Sequence, residues 1–544
     1  AMCSTIGRVG LVIMEYYSGW LIALILLGIT VIVLFSSIVI HFYEYIPVYR
    51  SSRIFMVFII GIILIGEIIL WNRVYQSLTG RLDLRWPNLT AIFLVICWSI
   101  LFGFFIFCIK KYGKSWVYQQ RFARRNFYGP WLVFTEQLDS SIIICFYSKT
   151  LTKNTENQEG IKPIVSISSD FQVEHPKSNV QYIPFNHSEI PIKGLFRFKI
   201  TNLKPATTYY YRITCSSEIF SFKTAPNAIK YNNKNSNKPI TFLITGDLHG
   251  GSGNNSKIYN IIENIIKSDQ VNFLLNTGDL LSDSSLFAQY KAFFSQSENL
   301  LSKNLMVHTP GNHDGFRKKG ARIWRTHFPQ PFPDPSDGAY SIFKYENIAI
   351  ICIDFYNSGN LYEQISSKQK NWIDRTLNQL REEKNTKVIF FSIHHPIAST
   401  GDCGINDQLL EYFSRLFEAH PKIRGVFSGH THFFQLFEYK SQKIENKNTI
   451  PLLISGGAGL DLERSALKKW YPRPYLWLKS EITDPKDFVS KKYRKDLQND
   501  EFIKKFHTYT KIEHHFCKIS VTDNLFTIEA IDLDGHPFFY KEIT

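Results

Sequence analysis

Five short apolar runs in the second half of the chain each lead into a motif of glycine, aspartate and histidine. Ile240–Thr245 precedes GDLHG, Val271–Thr277 precedes GD, and Leu305–Pro310 precedes GNHD. Lys387–Ile393 precedes HHP, and Ile423–Ser428 precedes GHTH. Short runs rich in β-branched and aromatic residues read as buried strands. Side chains at the C-terminal ends of neighbouring strands share one rim of an α/β sheet. The pattern therefore gathers Asp247, His249, Asp279, Asn312, His430 and His432 with either His394 or His395. Gly246, Gly278, Gly311 and Gly429 let the backbone turn sharply beside them. Imidazole, carboxylate and amide oxygen, with no thiolate, suit Mn, Fe, Zn or Co. The set is large enough for two neighbouring divalent ions.

Two ions bridged by a carboxylate clamp both the attacking and the leaving oxygen of a displacement at phosphorus. The order D-x-H, G-D, G-N-H-D, H-x-P, G-H-x-H resembles the calcineurin-like metallophosphoesterases, from about Asn237 to Thr544. The resemblance implies one ion on Asp247, His249 and His432, and another on Asn312, His394 and His430. It makes Asp279 the bridge and His313 the acid that protonates the leaving group. The H-x-P register selects His394 over His395, and leaves Asp314 an orienting role. His514 and His515 read as the start of a strand with no metal role. Ala339–Phe355, Gln369–Leu380 and His514–Gly535 further resemble the core and closing hairpin of the purple acid phosphatase branch. The chain departs from that branch at His249, where the branch has glycine, and at Ser282, where it has the iron-binding tyrosine. A purple chromophore is therefore not expected, and the resemblance gives the tyrosine's ligand position to His249.

At 544 residues the chain exceeds one ordinary domain. The balance of 62 Lys and Arg against 47 Asp and Glu gives a formal charge of +15. No nucleic-acid module accompanies it, so the charge points to an anionic substrate and an anionic membrane surface. The eight cysteines are scattered without CxxC, which fits neither a zinc framework nor a dense disulfide scaffold. Cys145 and Cys215 fall in one predicted domain, yet buried thiols are the reading preferred for both.

Three apolar stretches, Trp20–Ile40, Ile54–Trp71 and Ala91–Ile109, approach the length of about 20 residues that crosses hydrocarbon. Trp20, Tyr43, Trp71, Trp86 and Trp116 flank them as interfacial aromatics. They are expected to be three transmembrane helices, with Glu67 facing the bundle. Eight basic residues in the loops on one side, against four on the other, place the C-terminal part in the cytoplasm. The phosphatase resemblance and sequons at Asn186 and Asn254 place it outside, and the outside is the reading adopted. Between membrane and enzyme, alternating runs from Phe127 to Pro226 predict a β-sandwich. Its end, ITNLKPATTYYYRI then SFKTAP, resembles a fibronectin type III domain. Tyr231–Lys238 reads as a linker, and Ser465–Phe506 as an insertion beside the site.

The expected fold is thus a membrane region over 1–125, a fibronectin type III-like β-sandwich over 126–227, and an α/β metallophosphoesterase sandwich of two mixed sheets over 228–544. The expected function is hydrolysis of phosphate esters, membrane-proximal or lipid-linked, by a hydroxide bridging two divalent metals. The rivals are a membrane sensor with a non-catalytic metal site and a nuclease of the same superfamily.

Overall fold

The computed structural model describes residues 125–544, apart from 152–161, 169–178, 214–215, 228–237, 251–255, 316–317, 335–337, 357–364, 402, 441–448, 460–461, 463–480, 483–504 and 523–524. Seven strands open this part: β1 Phe127–Val133, β2 Ile142–Ser148, β3 Ile164–Ser166, β4 Asn179–Tyr182, β5 Leu195–Thr201, β6 Thr208–Arg212 and β7 Ile219–Lys223. They form a four-stranded sheet, β1-β2-β5-β4, and a three-stranded sheet, β3-β6-β7. Phe146 and Phe198 from the first pack in one core with Tyr209, Tyr211 and Phe222 from the second. Strand β4 is NVQY, whose alternately exposed side chains lie on a sheet edge. It has no apolar run, which is why the sequence did not announce it.

The next elements are β8 Ile240–Thr245, α1 Ser256–Ser268, β9 Val271–Asn276, α2 Phe287–Gln296, α3 Glu298–Leu301, β10 Met306–His308, α4 Asn312–Gly315 and α5 Lys318–His327. After them come β11 Ser341–Tyr345, β12 Ile348–Ile353, α6 Ser367–Glu382, β13 Val388–Ile393, α7 Asp407–Ala419, β14 Ile423–Ser428, β15 Phe434–Lys440 and β16 Thr449–Ser455. The chain closes with β17 Glu481–Ile482, β18 His507–Lys511, β19 His515–Val521, β20 Phe526–Asp532 and β21 Pro537–Ile543. Two mixed sheets result, ordered β10-β9-β8-β19-β20-β21 and β11-β12-β13-β14-β16-β15-β18-β17. Strands β8, β9 and β10 run parallel, as do β12, β13, β14 and β16. The sheets meet face to face: Phe242 of β8 lies 6.1 Å from Phe390 and 5.9 Å from Phe427, ring centre to ring centre.

Both faces of the central strands are covered, so their sequences are continuously apolar rather than alternating. Ile350 and Cys352 point between the sheets, while Ile351 and Ile353 point outward. The outward set meets Ile373 and Leu377 of α6 and Phe413 and Phe417 of α7. Strand boundaries agree closely with the five runs read from sequence; Ile240–Thr245 and Ile423–Ser428 coincide with β8 and β14.

The expected membrane architecture is corrected. Among the described residues no helix is long and apolar enough to cross a membrane. The stretches Trp20–Ile40, Ile54–Trp71 and Ala91–Ile109 lie outside the described residues, as does Glu67. The architecture observed is mixed α/β, and the integral-membrane localisation, which rested on hydropathy and flanking aromatics, is not retained. Most of Ser465–Phe506 also lies outside the described residues.

The β-module grips the larger domain through helix α5. Arg197, fully buried, pairs with Glu189 at 2.7 and 3.0 Å and donates to the Thr326 carbonyl. Arg322 returns a hydrogen bond to the Glu189 carbonyl at 2.7 Å. Trp131 donates to the His327 carbonyl and stacks 3.7 Å from Phe294. Removing one partner of a buried ion pair strands the other's charge, at a cost of about 3–5 kcal/mol. Glu189→Ala is therefore expected to lose stability of that order in equilibrium denaturation, with Arg197→Met less damaging than Arg197→Asp.

Candidate metal centre

The five motifs converge on one rim, as their positions after β8, β9, β10, β13 and β14 require. Asp279 is buried there with Asp247. One Asp279 oxygen accepts the His313 backbone N–H at 2.8 Å, and the other lies 3.2 Å from His394 Nε2. His394 donates from Nδ1 to the Thr277 carbonyl at 2.8 Å, which turns Nε2 toward the carboxylates. That Nε2 is also 3.1 Å from Asn312 Oδ1 and 3.8 Å from Asp247 Oδ1. His430 Nδ1 lies 2.9 Å from the same Asn312 oxygen. On the other side, His432 Nε2 is 3.4 Å from Asp247 Oδ1 and 3.4 Å from His249 Nε2.

Ligand atoms of Asp247, His249 and His432 all lie within 4.8 Å of one another, as do those of Asp279, His394 and His430. The first group holds the residues the resemblance assigns to one ion; the second holds His394 and His430 with Asp279, and Asn312 Oδ1 lies 3.1 and 2.9 Å from those two imidazoles. A further grouping, His249 with Asp279 and His313, shows that Asp279 also faces the first set. His395 sits beside the cluster: its Nδ1 bonds the Pro396 carbonyl at 2.9 Å, and its ring lies 4.9 Å from Phe355 and 5.1 Å from His430. His515 is buried in β19, with Nδ1 2.7 Å from the Glu513 carbonyl, and His514 meets the Gly457 carbonyl at 3.1 Å.

The backbone is strained where the ligands sit. Asp247, His249, Asp279 and His430 all have positive φ, from 45° to 69°. Non-glycine residues in such conformations cost on the order of 1–3 kcal/mol each and cluster at functional sites. Gly278, at φ 112°, permits the approach of His394, since a Cβ there would collide with the imidazole. A Cβ on Gly311 would strike the Asp279 carboxylate. Asp314 ties the turn together by accepting from the Gly311 and Leu280 N–H groups at 3.1 and 3.2 Å.

Electrostatically the cluster suits cations. Burial alone would raise the Asp247 carboxyl, but the His394 and His432 imidazoles outweigh it and hold it below the usual range. Burial opposes Asp279 likewise, and His394 and His313 bring it well below. Burial pushes His249 down to about 4 and His430 down to about 3, leaving lone pairs available at neutral pH. His394 is opposite: burial would lower it, but Asp279 and Asp247 raise it to about 9. Asp314 is pushed up to about 7 by burial and by the Asp279 charge. Asp247 Oδ1 is buried yet takes no well-aligned hydrogen bond among the described residues. Such an oxygen, with His394 and His432 beside it, fits a divalent cation that takes the place of the His394 proton.

Two neighbours were not singled out from sequence. Tyr356 reaches His430 Nδ1 with its hydroxyl at 3.4 Å, and Cys403 lies within 4.8 Å of His395 and His430. Tyr356 follows no glycine motif, and the Gly401-Asp402 pair before Cys403 follows no apolar run, so neither residue stood out in the chain.

Residues 240–434 match the family model for calcineurin-like phosphoesterases. They form a calcineurin-like phosphoesterase domain. Over 294 residues the chain is 28% identical to purple acid phosphatase 21 of Arabidopsis thaliana. The match covers 51% of this chain and 61% of that protein, so the chain spans less than two thirds of its relative. In fold the chain is similar to a purple acid phosphatase from yellow lupin (Lupinus luteus) seeds, with a TM-score of 0.51 at 14% identity. That superposition covers 76% of this chain and 73% of the lupin protein. It is also similar to PhoD, at a TM-score of 0.50 and 10% identity, over 77% and 89% of the two chains. The chain is thus similar to purple acid phosphatases in sequence and in fold.

The raised His394 gives a proton to measure. Its folded-state stabilisation is full below the unfolded value of about 6.5 and is lost as pH rises through about 9. Metal must displace that proton, so loading the metal-free protein at pH 7 is expected to release about one proton more from the native chain than from His394→Gln. Calorimetry in buffers of different ionisation enthalpy reads the difference, which should shrink as the starting pH passes about 9.

Proposed function

We propose that the chain hydrolyses phosphate esters at a dinuclear metal centre. The observation that supports this most is the buried Asp279 carboxylate standing between two sets of ligand atoms. Asp247, His249 and His432 would hold one divalent ion; Asn312, His394 and His430 the other; Asp279 would serve both. Two such ions, when bound, neutralise phosphoryl oxygens and acidify water near neutral pH.

The remaining steps belong to the chain. His313 Nδ1 lies 2.6 Å from the Ser282 carbonyl and donates to it. That contact points Nε2 toward the cleft, 3.9 Å from Asp279 Oδ2, on a side chain 42% exposed. Nε2 would carry the proton delivered to a departing alkoxide, with His313 acting as general acid. Ser282, at the position where the purple branch has tyrosine, thus supports the acid through its backbone. Asp314 holds the loop that fixes both Asn312 and His313. We also propose that residues 126–227 are a fibronectin type III-like scaffold, whose hold on α5 steadies the loop preceding that helix.

His313→Ala should retain both metals while losing roughly 10²–10⁴ in rate on alkyl phosphates, the usual range for acid catalysis. Activated aryl esters need little protonation and should lose much less. Equal losses on both classes would assign His313 another role. Asp279→Asn should lower metal content and activity together, which elemental analysis and steady-state kinetics on one preparation will read.

A further inference from the structure

None of the described cysteines, Cys145, Cys352, Cys403 and Cys517, is in a disulfide. Three of these are buried in cores, whereas Cys403 reaches the rim beside the metal centre. Its sulfur and one nitrogen each of His395 and His430 all lie within 4.8 Å of one another. The imidazoles of His395 and His430 are tilted by 30°, their centres 5.1 Å apart. His395 commits Nδ1–H to the Pro396 carbonyl at 2.9 Å, so Nε2 bears the lone pair.

The loop presenting Cys403 is built rather than loose. An Ala398–Ile405 bridge closes it, and Ser399 N donates to the Gly404 carbonyl at 2.9 Å. Buried Gln435 clamps Thr400 from both sides, accepting its N–H at 3.0 Å and donating to its hydroxyl at 2.7 Å. Gly404 takes φ 65°, the left-handed turn that brings the chain back. One thiolate and two imidazoles on such a frame are the ligand types of a zinc-class ion. Bond lengths near 2.0–2.3 Å set ligand atoms roughly 3.5 Å apart, so only a small side-chain contraction is needed.

We propose that Cys403, His395 and His430 form a third metal site, which takes one zinc-class ion through a sulfur and two nitrogens. The site touches the dinuclear reading only at His430, whose Nδ1 faces Asn312; Nε2 would serve the third ion, the ring giving up its N–H proton to solvent where both ions are held. Occupancy therefore ties the mobility of His430 to a soft ion, and excess zinc or cobalt acts on the enzyme through this ligand.

The test titrates the metal-free full chain with Co²⁺, following sulfur-to-cobalt absorption in the near ultraviolet and the total cobalt bound. The native chain should take a third equivalent as that absorption appears. Cys403→Ser should lose both the third equivalent and the absorption, and His395→Asn should lose the third equivalent with Cys403 in place. In the native protein, the third equivalent should also slow alkylation of Cys403 by about 10-fold or more, since alkylation needs the uncoordinated thiolate. Native stoichiometry that stops at two, absorption that persists in Cys403→Ser, or alkylation that metal does not slow would each overturn the site. Failure of the dinuclear reading is distinct, because it appears as fewer than two equivalents in Cys403→Ser itself.

Discussion

The charge on Asp279 is the constraint around which the rest is arranged. A buried carboxylate is costly unless it is paired and hydrogen-bonded. Here the Asp247 carboxylate shares the same interior, so two negative charges must be balanced together. His394 balances both, reaching one at 3.2 Å and the other at 3.8 Å. The backbone follows this demand. Asp247 and Asp279 both adopt left-handed conformations, and the glycines beside them leave room that any side chain would fill. The strain persists because buried sheets on both sides over-determine the turns.

The β-module answers a different mechanical need. Helix α5 begins three residues after the GNHD turn ends, and its far end is held by Arg197, Glu189 and Trp131. A helix tied down at one end transmits position to the loop at its other end. The aromatic stack of Trp131 on Phe294 extends that contact to α2, which follows the Asp279 turn. Both loops carrying the central carboxylate and the neighbouring imidazole of His313 thus rest on elements the module touches.

Much of this was legible in the chain because strands buried on both faces leave an unbroken apolar signature. Runs such as Ile240–Thr245 can hardly be anything else when a glycine-aspartate motif terminates them. That the candidate site residues gather on one rim was legible for the same reason, since topology fixes which ends of parallel strands meet. What the sequence hid were features decided by tertiary contact. Edge strand β4 has no apolar pattern, and Tyr356 and Cys403 arrive through loops whose path no periodicity records. The choice between His394 and His395 rested on register alone; their separate hydrogen bonds, to Thr277 and to Pro396, send the two rings to different neighbours. The N-terminal stretches show the opposite failing, where hydropathy supported an architecture that no described helix carries.

Strand β19 pairs with β8 through residues 517–521, so the strand that delivers Asp247 is flanked on one side by nearly the last part of the chain. A ribosome releases Asp247 and Asp279 long before it releases the histidines at 394, 430 and 432, and releases β19 later still. During that interval β8 has an open edge, and the two aspartates lack the imidazole that balances them. Contacts so distant in sequence form late and slowly. The growing chain therefore passes through a stage in which the paired carboxylates have His249 and His313 but not the buried imidazole of His394 that balances both. Three of the imidazoles that complete the cluster, at 394, 430 and 432, are thus among its last parts to be made, and the carboxylates wait for them.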